Sequence, residues 1–96
     1  MVTVWSNRAK AELHKAYLYI LLDSLQNAEM VRDDIIDATI NLCQNPEKYP
    51  ADKFKKDNDG TWRAFELHHY RISYKITQNE IRVVRMRHTS KNPRHF

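Results

Sequence analysis

The stretch Tyr70–Thr77 alternates without interruption. Tyr70, Ile72, Tyr74 and Ile76 fall on one face, and Arg71, Ser73 and Lys75 fall on the other. A period of two is what a strand with one buried face requires. Trp62–Leu67 before it and Ile81–His88 after it are also rich in β-branched and aromatic residues. Only His68-His69 and Gln78-Asn79-Glu80 connect them, so the spacing predicts an antiparallel meander. The polar face is assigned Arg63, Arg71, Lys75, Arg85 and Arg87. A sheet of this kind needs helices behind it and suits an anionic partner in front.

The preceding residues supply those helices. Val2–Trp5 reads as a first strand, and Ser6 as the N-cap of a helix from Asn7 to about Asp23. Ala9, Leu13, Ala16, Tyr17 and Ile20 form its main apolar stripe. Leu18, Leu21, Leu22 and Leu25 form a second stripe, which must pack on a neighbouring helix or on another chain. Asn27 is the expected cap of a second helix, striped by Ala28, Val31, Ile35, Ala38 and Leu42 and stopping near Asn45 ahead of Pro46. Glu47–Thr61 reads as a loop with the turn signal Asn58-Asp59-Gly60 and a short extra strand at Phe54. The expected fold is α+β, a single domain over residues 1–96, ordered strand-helix-helix-strand-strand-strand. Its antiparallel sheet carries a two-helix hairpin packed on one face.

Charge is segregated along the chain. Residues 1–61 hold eight Lys and Arg against ten Asp and Glu, whereas residues 62–96 hold eight against two. Nucleic acid or an acidic protein segment exploits such a basic half; a solvated face is the plain alternative. Cys43 is the only cysteine, which excludes an internal disulfide and a cysteine-rich zinc site. No apolar run approaches membrane-spanning length, so no membrane association is expected, and the reading is a cytoplasmic protein. His68-His69 are read as turn residues, Cys43 as a core thiol, and no metal or cofactor is expected.

Three stretches together resemble the RelE/ParE superfamily, the toxins of bacterial type II toxin–antitoxin pairs. They are Trp5 followed by Ala9, Leu13, Tyr17 and Ile20; Trp62-Arg63 leading to Tyr70-Arg71-Ile72-Ser73-Tyr74, similar to the family's Tyr-Arg-apolar-x-Tyr strand; and Ile81–His88 running into Thr89-Ser90-Lys91-Asn92-Pro93. The resemblance implies growth arrest, relieved by a cognate antitoxin whose extended segment masks the basic face. It also implies one of two targets. ParE-like members poison DNA gyrase; RelE-like and YoeB-like members cut mRNA on the ribosome.

For the nuclease branch the resemblance implies Arg71 as phosphate clamp, Asp52 as base and His88 as acid. Arg63, Lys75, Arg85, Arg87 and Lys91 are then RNA or target contacts. Phe65 stands where RelE-like enzymes carry a second lysine, and with Leu67 it is expected to form an apolar patch on the front face. That patch and the leucines at 18, 21, 22 and 25 are the expected antitoxin or dimer contacts, in a homodimer or a heterotetramer with antitoxin. The ParE-like branch is favoured by Phe65, the long helical hairpin and the incomplete nuclease set. The endoribonuclease is the alternative, and a non-toxic basic nucleic-acid-binding domain is a third reading.

Overall fold

The computed structural model describes residues 1–90. Strand β1 (Val2–Trp5) leads into helices α1 (Asn7–Leu21) and α2 (Leu25–Asn41). After a long loop come strands β2 (Trp62–Leu67), β3 (Tyr70–Ile76) and β4 (Glu80–His88). The sheet order is β1-β4-β3-β2. The meander is antiparallel as expected, but β1 runs parallel to β4, so the four-stranded sheet is mixed. The helical hairpin lying between β1 and the meander makes this parallel crossover feasible.

Local chemistry sets the helix ends. Ser6 caps α1 as expected: its Oγ accepts the Ala9 N–H at 3.0 Å, and its hydroxyl reaches the Val84 carbonyl. The second cap is Ser24, not Asn27. The Ser24 hydroxyl accepts the Asn27 N–H at 3.1 Å, so the helix begins at Leu25. A serine side chain in an extended residue is the better cap, and it draws Leu25 into the first helical turn. Both helices end earlier than expected, at Leu21 and Asn41. Among the described residues, neither is long and apolar enough to cross a membrane.

The core lies between the hairpin and one face of the sheet. Ala9 and Ala16 let α1 approach closely, while Ile35 of α2 and Leu42 at its C-cap meet Ile72, Tyr74, Ile81 and Val83. Thr39 is buried on α2 and ties it to β1. Its hydroxyl accepts the Trp5 indole N–H at 3.2 Å, and its carbonyl accepts the Thr3 hydroxyl at 2.8 Å. His68 and His69 both take positive φ, as a two-residue turn between twisted strands demands. His68 Nε2 lies 2.7 Å from Asp34 Oδ2, fastening that turn to α2.

Two features of register decide what faces forward. A bulge lies in the β3–β4 ladder, where Ser73 pairs with Arg85 but Tyr74 pairs with Val83, leaving Val84 extra. It switches side-chain parity, so Ile81, Val83 and Met86 all face the helices. In β2, Arg63 pairs with Tyr74 and Phe65 with Ile72. Arg63, Phe65 and Leu67 therefore lie on the helix side, not on the front. Phe65 is buried and stacks on Tyr49 at 4.7 Å, and Leu67 packs at the core margin. Burying an aromatic ring outweighs placing one arginine forward, because the arginine stem can reach polar groups at the edge.

The loop is an arm rather than a free connector. Arg63 donates to the Tyr49 carbonyl at 2.7 Å and the Gly60 carbonyl at 3.1 Å. Asn58 donates to the Asp52 and Trp62 carbonyls and accepts from the Gly60 and Trp62 amides. In place of the extra strand at Phe54 there is a single bridge, Ala51 to Arg63. Tyr74 completes the attachment by donating to the Pro46 carbonyl at 2.8 Å.

Burial pushes the Tyr74 hydroxyl up to about 12 from an ordinary value of 10.0. A raised acid favours the folded state fully below pH 10.0, and that contribution disappears as pH climbs toward about 12. Tyr74→Phe is expected to cost about 1–2 kcal/mol at neutral pH by orphaning the Pro46 carbonyl. It should also remove this part of the alkaline instability. Denaturant titrations of both proteins at neutral and alkaline pH check it; equal alkaline losses would contradict the assignment.

Candidate functional site

With the bulge in place, the front of the sheet carries Arg71 and Lys75 from β3 and Arg85 and Arg87 from β4, as the alternation implied; Arg82 joins them. Two rungs set cation against cation, Arg71 opposite Arg87 and Lys75 opposite Arg82. Lys75 lies over the Trp62 ring at 5.2 Å, and Lys55 approaches the same ring at 4.2 Å. Such contacts hold cations against an aromatic face without neutralising them.

Arg71 sits at the centre of the best-formed constellation. Its Nη2 donates to Asp52 Oδ1 at 2.8 Å, with the Asp52 side chain fully buried and the Arg71 side chain 22% exposed. The same Oδ1 accepts the Phe54 N–H at 3.0 Å, and the Phe54 ring lies 4.8 Å from the guanidinium carbon. Asp52 Oδ2 is buried and has no hydrogen-bond partner among the described residues. The carboxylate expected as a surface base is instead sealed beneath the arginine. It can orient Arg71, but it cannot reach a substrate proton. A cleft of about 180 Å3 opens in front of Arg71, lined also by Lys53, Phe54, Glu66, Arg87, His88 and Thr89.

His88 stands only at the rim of this cleft. Its partner in the ladder is Tyr70, on the helix side, and its ring meets Tyr70 edge-on at 5.1 Å. Nδ1 is engaged by Ser90, whose hydroxyl lies at 2.7 Å and whose amide donates at 3.1 Å. Of the three groups expected for nuclease chemistry, the fold brings Asp52 and Arg71 into contact and turns His88 aside. Arg63 is spent on the loop, and Lys91 lies outside the described residues.

Sequence reasoning missed several contributors. Lys53, Phe54 and Glu66 enter the cleft through the loop and through β2 parity. Glu12 of α1 accepts the Met86 N–H at 3.0 Å, covering a stretch of β4 that the short β1 leaves unpaired. The apolar stripe at 18, 21, 22 and 25 gathers at the tip of the helical hairpin and stays uncovered. Exposure is 47% at Leu18, 37% at Leu21, 84% at Leu22 and 55% at Leu25. Tyr19 beside them is also exposed.

A family model described as the ParE toxin of the type II toxin–antitoxin system parDE matches residues 3–93. The chain belongs to this family. It is thus a type II toxin of the RelE/ParE superfamily, and the fold agrees. A chain in the solved chromosomal ParDE toxin–antitoxin system of P. aeruginosa superposes with a TM-score of 0.70. The match covers 92% of this toxin and 95% of that chain at 20% identity, a likeness of fold. No curated protein matches the sequence.

In this ParE-family toxin the Asp52–Arg71 pair has unequal partners. Removing the arginine strands a buried carboxylate, so Arg71→Ala is expected to cost about 3 kcal/mol. Asp52→Asn retains an acceptor and leaves an arginine that water can reach, so it should cost about 1 kcal/mol. Urea unfolding of the two variants measures the difference. Equal costs would mean that the pair does not anchor the loop.

Proposed function

We propose that this toxin arrests growth in the cytoplasm by poisoning DNA gyrase and that a cognate antitoxin neutralises it. The observation carrying this reading is the state of the groups expected for nuclease chemistry. Asp52 is buried under Arg71, and His88 is bonded to Ser90 and edge-on to Tyr70. Metal-independent RNA cleavage needs a base and an acid that can reach the substrate, and Asp52, sealed beneath Arg71, is not disposed to act as that base. A basic face with no such pair suits docking onto a macromolecule better than phosphate chemistry. The ParE family match and the fold shared with a chain of the P. aeruginosa ParDE system support the same branch.

The test uses purified toxin with gyrase and relaxed plasmid, beside primer extension on a reporter mRNA after brief induction in cells. Loss of supercoiling with intact mRNA is expected. Cleavage within translated codons while gyrase stays active would overturn the proposal in favour of the endoribonuclease. Arg71→Lys is a fairer variant here than Arg71→Ala, since it keeps a charge beside Asp52.

The leucine cluster at the hairpin tip supports a second element of the reading, namely contact with antitoxin or with a second copy of the toxin. Leu22→Glu should leave folding within about 0.5 kcal/mol of wild type, because that side chain is exposed. It should weaken one of these associations by about tenfold or more, as loss of a central apolar anchor does. Calorimetry with the antitoxin and sedimentation of the toxin alone separate the two. Unchanged behaviour in both would remove the tip from the interface.

A further inference from the structure

A sheet edge with unmet backbone groups pairs with another strand unless something prevents it. Elsewhere this fold defends its edges. Along β2 the arm lies against the strand: Ala51 bridges Arg63, and the Asp52 N–H donates to the Trp62 carbonyl at 2.8 Å. Where β4 runs on past β1, Glu12 accepts the Met86 N–H. β1 is the other outer strand, and among the described residues nothing pairs with its far side. Its sequence, Val2-Thr3-Val4-Trp5, holds no charge, no proline and no bulge, the devices that keep edges apart. Val2 is 62% exposed and Val4 39%.

The phase of the ladder decides which groups point outward. The Val2 N–H donates to the Asn79 carbonyl and the Ser6 N–H to the Val83 carbonyl, so the even-numbered residues spend their backbone groups on β4. By the alternation of a strand, the N–H and C=O of Thr3 and Trp5 turn to the open edge. An antiparallel neighbour meets such groups in reciprocal pairs. If that neighbour is β1 of another copy, a two-fold axis at Thr3 sets Thr3 opposite Thr3 and Val2 opposite Val4. Each Thr3 then exchanges both hydrogen bonds with its counterpart. The valines fall in the non-hydrogen-bonded pairs, where facing side chains come closest.

Charge selects both this register and this partner. In the ladder Val4 lies beside Arg82 and Val2 beside Glu80. With the axis at Thr3, each row through a Val2–Val4 pair ends in Arg82 of one copy and Glu80 of the other. An axis at Val4 puts Arg82 in line with Arg82, and an axis at Val2 puts Glu80 in line with Glu80. An acidic extended segment, by contrast, is drawn to the cationic front and gains nothing from an uncharged edge. We infer that β1 is a self-association edge, through which two copies of the toxin join by antiparallel β1–β1 pairing about Thr3. A two-fold axis perpendicular to the sheet keeps both cationic fronts on one side, so the pair presents a double-width docking surface. The edge is separate from the front and from the leucine tip, and the inference stands whether or not gyrase is the target.

The experiment sediments the full chain over a range of concentrations and follows exchange of the Thr3 amide by NMR in the same samples. Wild type is expected to dimerise, with Thr3 exchange slowing as the dimer fills. Val2→Lys keeps the fold, since that side chain is exposed and lies beside Glu80. It should weaken the dimer by about tenfold or more, because a lysine blocks edge pairing and the two-fold axis repeats it in both copies. Leu22→Glu, at the hairpin tip, should dimerise as wild type does. The inference is overturned if the chain stays monomeric throughout, or if Val2→Lys dimerises unchanged. Loss of the dimer in Leu22→Glu alone would move self-association to the tip and overturn it as well. So would a Thr3 amide that slows only when antitoxin is added, which would make an antitoxin strand the occupant.

Discussion

The register between β3 and β4 sorts this molecule. Because Val84 is extra, residues on either side of it obey opposite parities. Ile81 and Val83 face the helices ahead of the bulge, and Met86 faces them after it. A regular ladder would have turned one of these groups to water and driven the arginines of the other into the core. A one-residue slip exchanges whole faces of a strand, so the bulge is what allows a greasy back and a cationic front to coexist. The core and the placement of Arg71, Arg85 and Arg87 follow from that single displaced residue.

The loop between α2 and β2 is the second dependency. It adds little regular structure, yet it brings Asp52 under the sheet's front edge and Tyr49 against Phe65. Its anchors are polar groups that would otherwise be costly to bury: the Tyr74 hydroxyl, the Arg63 guanidinium and the Asn58 amide. Each satisfies a backbone carbonyl of the loop, which is why a largely irregular segment can pack against a sheet. The arm therefore shapes the front face as well as holding the fold together. It removes a carboxylate from solvent and fixes the arginine that the front face presents.

The hairpin tip obeys a different logic. Leu18, Leu21, Leu22 and Leu25 are too far along the helices to reach the sheet, and no described element covers them. Apolar clusters of this kind lose solvation free energy in isolation and recover it only against a partner. A toxin that is held inactive by another protein has a use for such a surface. The cationic front and the apolar tip lie on different parts of the molecule, so different partners can address them.

Much of this was written in the sequence. The Tyr70–Thr77 alternation, the short connectors and the helical stripes fixed the element order and the α+β class, while the family came from the resemblance of three motif stretches. These signals are local, and period alone carries them. Ser6 is legible as a cap for the same reason, and Ser24 carries an equally local signal that Asn27, three residues on, obscures. The bulge at Val84 was not legible, because an extra residue shows only once the strand is paired with its neighbour. The fate of Arg63, Phe65 and Leu67 was not legible, because β2 offers two faces with comparable claims and only pairing with β3 chooses between them. Nor was the burial of Asp52, nineteen positions from Arg71. A carboxylate in a charged loop looks like any surface group until the chain closes over it. The sequence by itself determined which elements form and roughly what they face. Tertiary structure decided which charges are spent inside the fold and which remain for a partner, since that depends on contacts between residues distant in the chain.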